Sequence, residues 1–169
     1  PRTRYQITID PKMAFGTGHH QTTYLMLDSI LEDCSAIKDK QVLDMGCGTG
    51  ILAILAAKMG AKSPVHAIDI DYTAVLSSIE NSRRNRVSGK IITKCGDASL
   101  LQAGKYDTIL ANINRNILLS DISTYSRSMR NDGTLYVSGF YTEDIPLLVA
   151  EASKHSLKMV STKEKENWA

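Results

Sequence analysis

The stretch Val42-Leu43-Asp44-Met45-Gly46-Cys47-Gly48-Thr49-Gly50-Ile51-Leu52-Ala53 sets the fold class of the whole chain. It reads as an apolar strand that runs into a glycine-rich turn and opens directly into a helix, with Ile51, Leu52, Ile54 and Leu55 at helical spacing. Glycine suits such a turn because a side chain would hold a ligand away from the backbone, and because the bend needs dihedrals that cost little only without a Cβ. The helix N-terminus, with its unpaired N–H groups, then faces the bound molecule. Two cofactor classes use a strand–turn–helix of this kind, and glycine spacing helps to separate them. Dinucleotide folds carry G-x-G-x-x-G, the third glycine allowing close helix–strand packing. Here that third position is Ile51, and the glycines fall at 46, 48 and 50 behind an acid, Asp44.

Outward from the loop, strand and helix patterns alternate. Residues 65–71 form an apolar strand ending in two acids. Asp69 closes its alternating run about 20 residues beyond the glycines, where a cofactor ribose presents its hydroxyls, while Asp71 suits the N-cap of the next helix. That helix, 72–86, ends in Arg83, Arg84 and Arg86, cations that complement a helix C-terminus. Residues 91–95 make a third strand. Asp97 beyond it is placed either to accept from an adenine amino group or simply to make a turn. A fourth strand, 106–112, ends beside the first in a doubly wound sheet, so Asn112 either points at the crevice or caps the following helix. From Arg115 a helix carries Leu118, Ile122, Tyr125 and Met129, and Asn131-Asp132-Gly133 stops it. A fifth strand at 134–138, a helix at 144–154 and a sixth strand at 157–162 complete the series. Upstream, 5–9 reads as a short strand and Phe15 to Thr23 as a loop able to wrap a ligand. An amphipathic helix then starts near Thr22, capped by Thr22 or Thr23, with Leu25, Met26, Ile30 and Leu31 on one side.

At 169 residues the chain is long enough for one well-buried α/β domain and short for two. Its net charge of +2 and pI near 8.5 do not by themselves indicate nucleic-acid binding. Cys34, Cys47 and Cys95 are widely separated, which suggests neither a disulfide framework nor a zinc site. His19 and His20 have no partner at ligand spacing, so no metal is expected. No apolar run approaches the roughly 20 residues of a spanning helix and no signal peptide opens the chain, which points to a cytoplasmic protein with no membrane partner. The start at Pro1 suggests that something upstream, a tag or a further domain, has been removed.

The glycine spacing behind Asp44 resembles the loop of S-adenosylmethionine-dependent methyltransferases of the Rossmann-like class I type. Taken with Phe15-Gly16-Thr17-Gly18-His19-x-x-Thr22-Thr23, Ile68-Asp69-Ile70-Asp71 and Ala111-Asn112-Ile113, the chain from roughly 12 to 168 resembles the bacterial ribosomal protein L11 methyltransferases. The first of these motifs is the telling one, since the others are shared across the class. The resemblance implies a doubly wound, mostly parallel sheet and methyl transfer from S-adenosyl-L-methionine to lysine and N-terminal amino groups of a large-subunit ribosomal protein. It implies cofactor contacts from Thr23, Gly46, Gly48, Asp69 and Asn112, with Asn112 also the catalytic candidate. The chain departs from the family pattern at His19-His20-Gln21 and at Asn114-Arg115, which bears on substrate rather than cofactor. It also implies that residues 1–169 are a single catalytic domain without the family's N-terminal recognition domain. The class's last strand, antiparallel, would begin at Trp168 and is expected to be truncated or missing. The rival functions are an N-methyltransferase for RNA, a small molecule or another protein, a non-catalytic adenosylmethionine-binding module, and an NAD-dependent dehydrogenase, which Ile51 disfavours.

Overall fold

A computed structural model describes residues 4–10 and 19–169. Ten principal elements follow in order: α1 (Gln21–Glu32), β1 (Val42–Met45), α2 (Ile51–Lys58), β2 (Val65–Asp69), α3 (Tyr72–Arg84), β3 (Ile91–Cys95), β4 (Tyr106–Asn112), α4 (Arg115–Ser128), β5 (Met129–Ser138) and α5 (Ile145–Lys154). The strands form one sheet in the order β3-β2-β1-β4-β5, and every pairing is parallel. Order reverses at β1, the first strand lying between β2 and β4, so the sheet is doubly wound with its switch point at the end of β1. This is the Rossmann-like methyltransferase fold that the glycine loop implied. No helix among the described residues is long and apolar enough to cross a membrane.

Side chains of successive strand residues point to opposite faces, and two cores result. Val42, Val65 and Leu110 pack on one face with Met26 and Ile30 of α1 and Ile54 and Leu55 of α2. Leu43, Ile68 and Ile109 pack on the other with Leu118, Ile122 and Tyr125 of α4 and Leu148 of α5. Every residue of α2 from Ile51 to Ala57 is buried, because α2 lies between the sheet and its neighbours α1 and α3.

Several local expectations are corrected. Residues 5–9 form no strand, because their backbone is held by two asparagines on the buried side of α3 rather than by a sheet edge. Asn85 Oδ1 accepts from the Thr8 N–H (3.0 Å), Asn85 Nδ2 donates to the Thr8 carbonyl (2.7 Å), and Asn81 Oδ1 accepts from the Asp10 N–H (2.9 Å). The α1 N-cap is His20, whose side chain accepts from the Thr22 N–H, and Thr22 and Thr23 turn inward instead. Leu31 is exposed. Helix α4 ends at Ser128, and Asn131-Asp132-Gly133 lies within β5, in a bulge between the Tyr106–Met129 and Thr108–Thr134 pairs, with Asp132 left-handed (φ 62°). Residues 157–162 form no strand. The segment pairs with neither sheet edge and leaves Met159 and Val160 to solvent before Lys163 reaches Asp28 (2.5 Å) and Glu32 (2.7 Å) of α1. Trp168 makes only isolated antiparallel bridges, to Tyr141 and Lys165.

Because Asn85 supplies both halves of the Thr8 pairing, Asn85→Ala should cost about 2 kcal/mol of unfolding free energy in urea titrations, the scale of buried groups left unpaired. The Thr8 amide should lose hydrogen-exchange protection while the amides of β1 and β4 keep theirs.

Candidate functional site

The carboxyl ends of β1, β2 and β4 lie side by side, and the glycine loop leaves the sheet at the middle one. Gly46, Gly48 and Gly50 all adopt left-handed conformations (φ 68°, 53° and 80°). Space as well as dihedral demands glycine at two of them: a Cβ on Gly46 would lie 2.2 Å from Ile113 Cγ2, and one on Gly50 2.4 Å from Ser78 Oγ. The loop is pinned to β2 by the N–H groups of Gly46 and Cys47, which both donate to the Ile68 carbonyl (2.8 and 3.0 Å). The Cys47 thiol is buried and pushed well above its ordinary range by that burial, so it packs rather than reacts.

Two carboxylates serve this loop in different surroundings. Asp44, within β1, is 1% exposed, and its Oδ2 accepts from the Ala53 N–H in the first turn of α2 (3.0 Å). Burial pushes it up to about 7 against the opposing Ala53 bond, and the nearby Asp69 charge adds to the rise. Asp69, at the end of β2, is only half-buried. Its Oδ2 accepts from the Gly48 N–H (2.9 Å) and its Oδ1 from the Asp71 N–H (2.9 Å), so one side chain joins the glycine loop to the start of α3. Asp71 caps α3, accepting from the Thr73 N–H at 2.8 Å. Asp97 is exposed and accepts from the Ser99 N–H (2.9 Å), capping a single turn.

Asn112 ends β4 with 9% exposure. Its Nδ2 donates to Thr23 Oγ1 of α1 (3.3 Å), and Thr23 is fully buried. Its Oδ1 is buried with no hydrogen-bond partner among the described residues. The cap of α4 is Asn114, which accepts from the Ile117 N–H (3.1 Å), so Asn112 is free of that duty. Beside it, Gly139 (φ 100°) brings the end of β5 so close that a Cβ would lie 2.4 Å from the Ile113 carbonyl oxygen. Thus Gly46, Gly48 and Asp69 form one group, Thr23 and Asn112 a second, and Ile113 touches both. The motif residues 15–18 lie outside the described residues.

Three rings at the rim escaped sequence reasoning. Trp168 packs edge-on to His20 (4.8 Å between centroids) and lies 4.3 Å from Tyr141. They come from three distant parts of the chain, and no local pattern joins them.

The chain matches the family profile described as ribosomal protein L11 methyltransferase (PrmA) over residues 1–169. It is 50% identical over 169 residues to the ribosomal protein L11 methyltransferase of Bacteroides thetaiotaomicron and 51% identical over 170 residues to that of Bacteroides fragilis, in each case covering 100% of this chain. The chain spans 59% of the length of these curated relatives. Among solved structures, the ribosomal protein L11 methylase of Lactobacillus delbrueckii subsp. bulgaricus superposes with a TM-score of 0.86 at 32% identity, covering 98% of this chain and 87% of its own. A Trypanosoma brucei PRMT1 enzyme–prozyme complex with AdoHcy superposes at 0.59 with 27% identity, over 67% of this chain and 37% of its own.

The position of Asp44 gives a pH test. Unfolded, it loses its proton near the ordinary 3.8; folded, it holds it to about 7. Its contribution to stability is therefore full below about pH 4 and is lost as pH rises towards 7, a difference on the order of 4 kcal/mol. Asp44→Asn keeps an acceptor for the Ala53 N–H and should flatten that decline when urea midpoints are measured across the interval.

Proposed function

This chain belongs to the ribosomal protein L11 methyltransferase family, and from that premise we propose that it moves a methyl group from S-adenosylmethionine to amino groups of a large-subunit ribosomal protein. We read residues 1–169 as the catalytic domain. The observation that carries the proposal is the buried Oδ1 of Asn112, without a hydrogen-bond partner among the described residues, at the switch point of the sheet and beside a loop of left-handed glycines. An acceptor kept dry and unpaired costs stability unless a ligand completes it.

The residues present fit the cofactor. Gly46, Gly48 and Gly50 leave the backbone bare at the start of α2. Each oxygen of Asp69 uses one lone pair on a backbone N–H and keeps another, enough for a pair of ribose hydroxyls. Thr23 holds Asn112 from behind. When bound, the cofactor supplies an electrophilic methyl on a sulfonium centre. Displacement in line needs a neutral amine with its lone pair aimed, and alignment is the enzyme's principal contribution. Asn112 Oδ1 can accept an N–H from the attacking amine and so fix that lone pair without itself titrating. Lysine has an ordinary pKa near 10.4, and desolvation at this buried crevice favours loss of its proton.

Calorimetry should show the chain binding S-adenosylmethionine but not NAD, with Asp69→Ala weakening binding by about 1.5–3 kcal/mol, the range for hydrogen bonds to a charged group. Asn112→Ala should lower the single-turnover rate on the ribosomal protein at saturating cofactor by roughly 10²-fold, the scale of a modest misplacement of reacting groups. If that rate holds and only cofactor affinity falls, Asn112 binds and does not orient.

A further inference from the structure

At the opposite pole, the amino edge of the sheet, lies a second concavity with a different chemistry. Helices α2 and α3 run antiparallel to the strands they follow, so their C-termini meet here, and residues 4–8 run alongside α3. Together they enclose an open cleft of about 540 Å³, lined by Arg4, Tyr5, Gln6, Lys58, Arg84 and Arg86 with Thr8 and Asn85 behind them.

Among the described residues no acid lines the cleft itself, and Asp10 and Glu80 reach only Arg84 at its edge. Arg84 is paired with Asp10 (3.1 Å) and Glu80 (3.0 Å), whereas Arg4, Lys58 and Arg86 make no ion pair among the described residues. The chain as a whole carries only +2; without the four cations of this cleft, sixteen basic residues would face eighteen acids and the remainder would be net negative. Basicity invisible in the total is thus concentrated in one place. Compensation of helix C-termini accounts for Lys58 and Arg84. It accounts also for Arg86, one residue past the α3 cap with a left-handed backbone (φ 59°), but not for Arg4, which comes from the N-terminal segment.

We propose that this cleft docks the phosphodiester backbone of a single-stranded RNA segment, at the pole opposite the methyl-transfer site. Three of the four cations are arginines, whose planar guanidinium forks match phosphate oxygens in pairs. The Tyr5 ring packs partly against the core and carries the Arg4 guanidinium 5.5 Å from its centroid, which holds that fork at the cleft. The exposed Gln6 amide adds a neutral donor and acceptor, and a cationic lysine-rich tail is repelled. The choice of RNA over an acidic protein rests on the proposed ribosomal protein substrate, whose surroundings are RNA. Because the two poles face apart, RNA held here would not block the crevice.

Fluorescence anisotropy of a labelled oligouridylate of about 12 nucleotides, titrated with the full chain, tests the proposal without any methyl transfer. Three unpaired cations predict a logarithmic salt slope of about −2, so affinity should fall roughly 15-fold between about 50 and 200 mM salt. The double variant Lys58→Gln, Arg86→Asn should bind at least about 10-fold more weakly at the lower salt, asparagine being tolerated at the left-handed position. Lys94→Gln, Lys158→Gln removes the same charge elsewhere and should bind as the parent does. S-adenosylmethionine binding and the circular dichroism spectrum, unchanged in both, separate loss of this surface from loss of the fold or of the methyltransferase reading. The proposal is overturned by absent RNA binding at about 100 μM protein and low salt, by equal loss in both double variants, or by polyglutamate competing as well as RNA.

Discussion

Strand β1 has neighbours on both edges and packed helices on both faces, and all four of its residues are buried. In so dry a place every polar atom must be met by the protein itself. Asp44 is the one ionisable group there, and its position suits the loop that follows: a side-chain oxygen at that step of the strand reaches the Ala53 N–H and fastens the start of α2 to the strand before it. The energetic burden of burying it is borne by the apolar residues around it, Val42, Leu43 and Met45 within the strand and the almost uniformly buried α2 alongside.

From that constraint the division of labour between Asp44 and Asp69 follows. Both carboxyls bond backbone N–H groups of the same loop region, yet one is sealed and the other half-wet. The sealed one works inward, holding helix to strand. The open one joins the Gly48 amide to the Asp71 amide and so ties the glycine loop to the start of α3. Thr23 and Asn112 form a comparable pair on the other side of β1. In both cases a polar side chain at the carboxyl end of the sheet is held in place by another part of the fold.

The sheet was legible because buried parallel strands write themselves as short apolar runs between turns, and 91–95 and 106–112 coincide with β3 and β4 to the residue. Where a backbone group's partner lay far away in sequence, reading failed. Residues 5–9 look like a strand locally, but their partners are asparagines one helical turn apart near the end of α3, a relation that exists only once α3 has docked. The apolar run at 157–162 had strand composition but no edge to join. His20 stood in for the threonines at the cap of α1, and those threonines were needed inside. The class-wide motifs drew attention to the glycines and to the acid at the end of β2, while the bond between Asp69 and Gly48 and that between Thr23 and Asn112, 89 positions apart, required the fold.

Parallel pairing of β1 with β4 also dictates an order of assembly. The residues that close the second edge of β1 come about 65 positions after it in the chain, beyond two helices and two strands. During synthesis the β3-β2-β1 half must therefore wait with its central strand exposed along one side, and with one face of Leu43 and Met45 still uncovered by α4. Such an edge invites pairing with the wrong strand, and closing it across so long a loop is slow. The nascent first half is thus the form of this protein most in need of chaperone protection, and damage to β4 or α4 will be felt first as aggregation during synthesis rather than as loss of a contact in the finished fold.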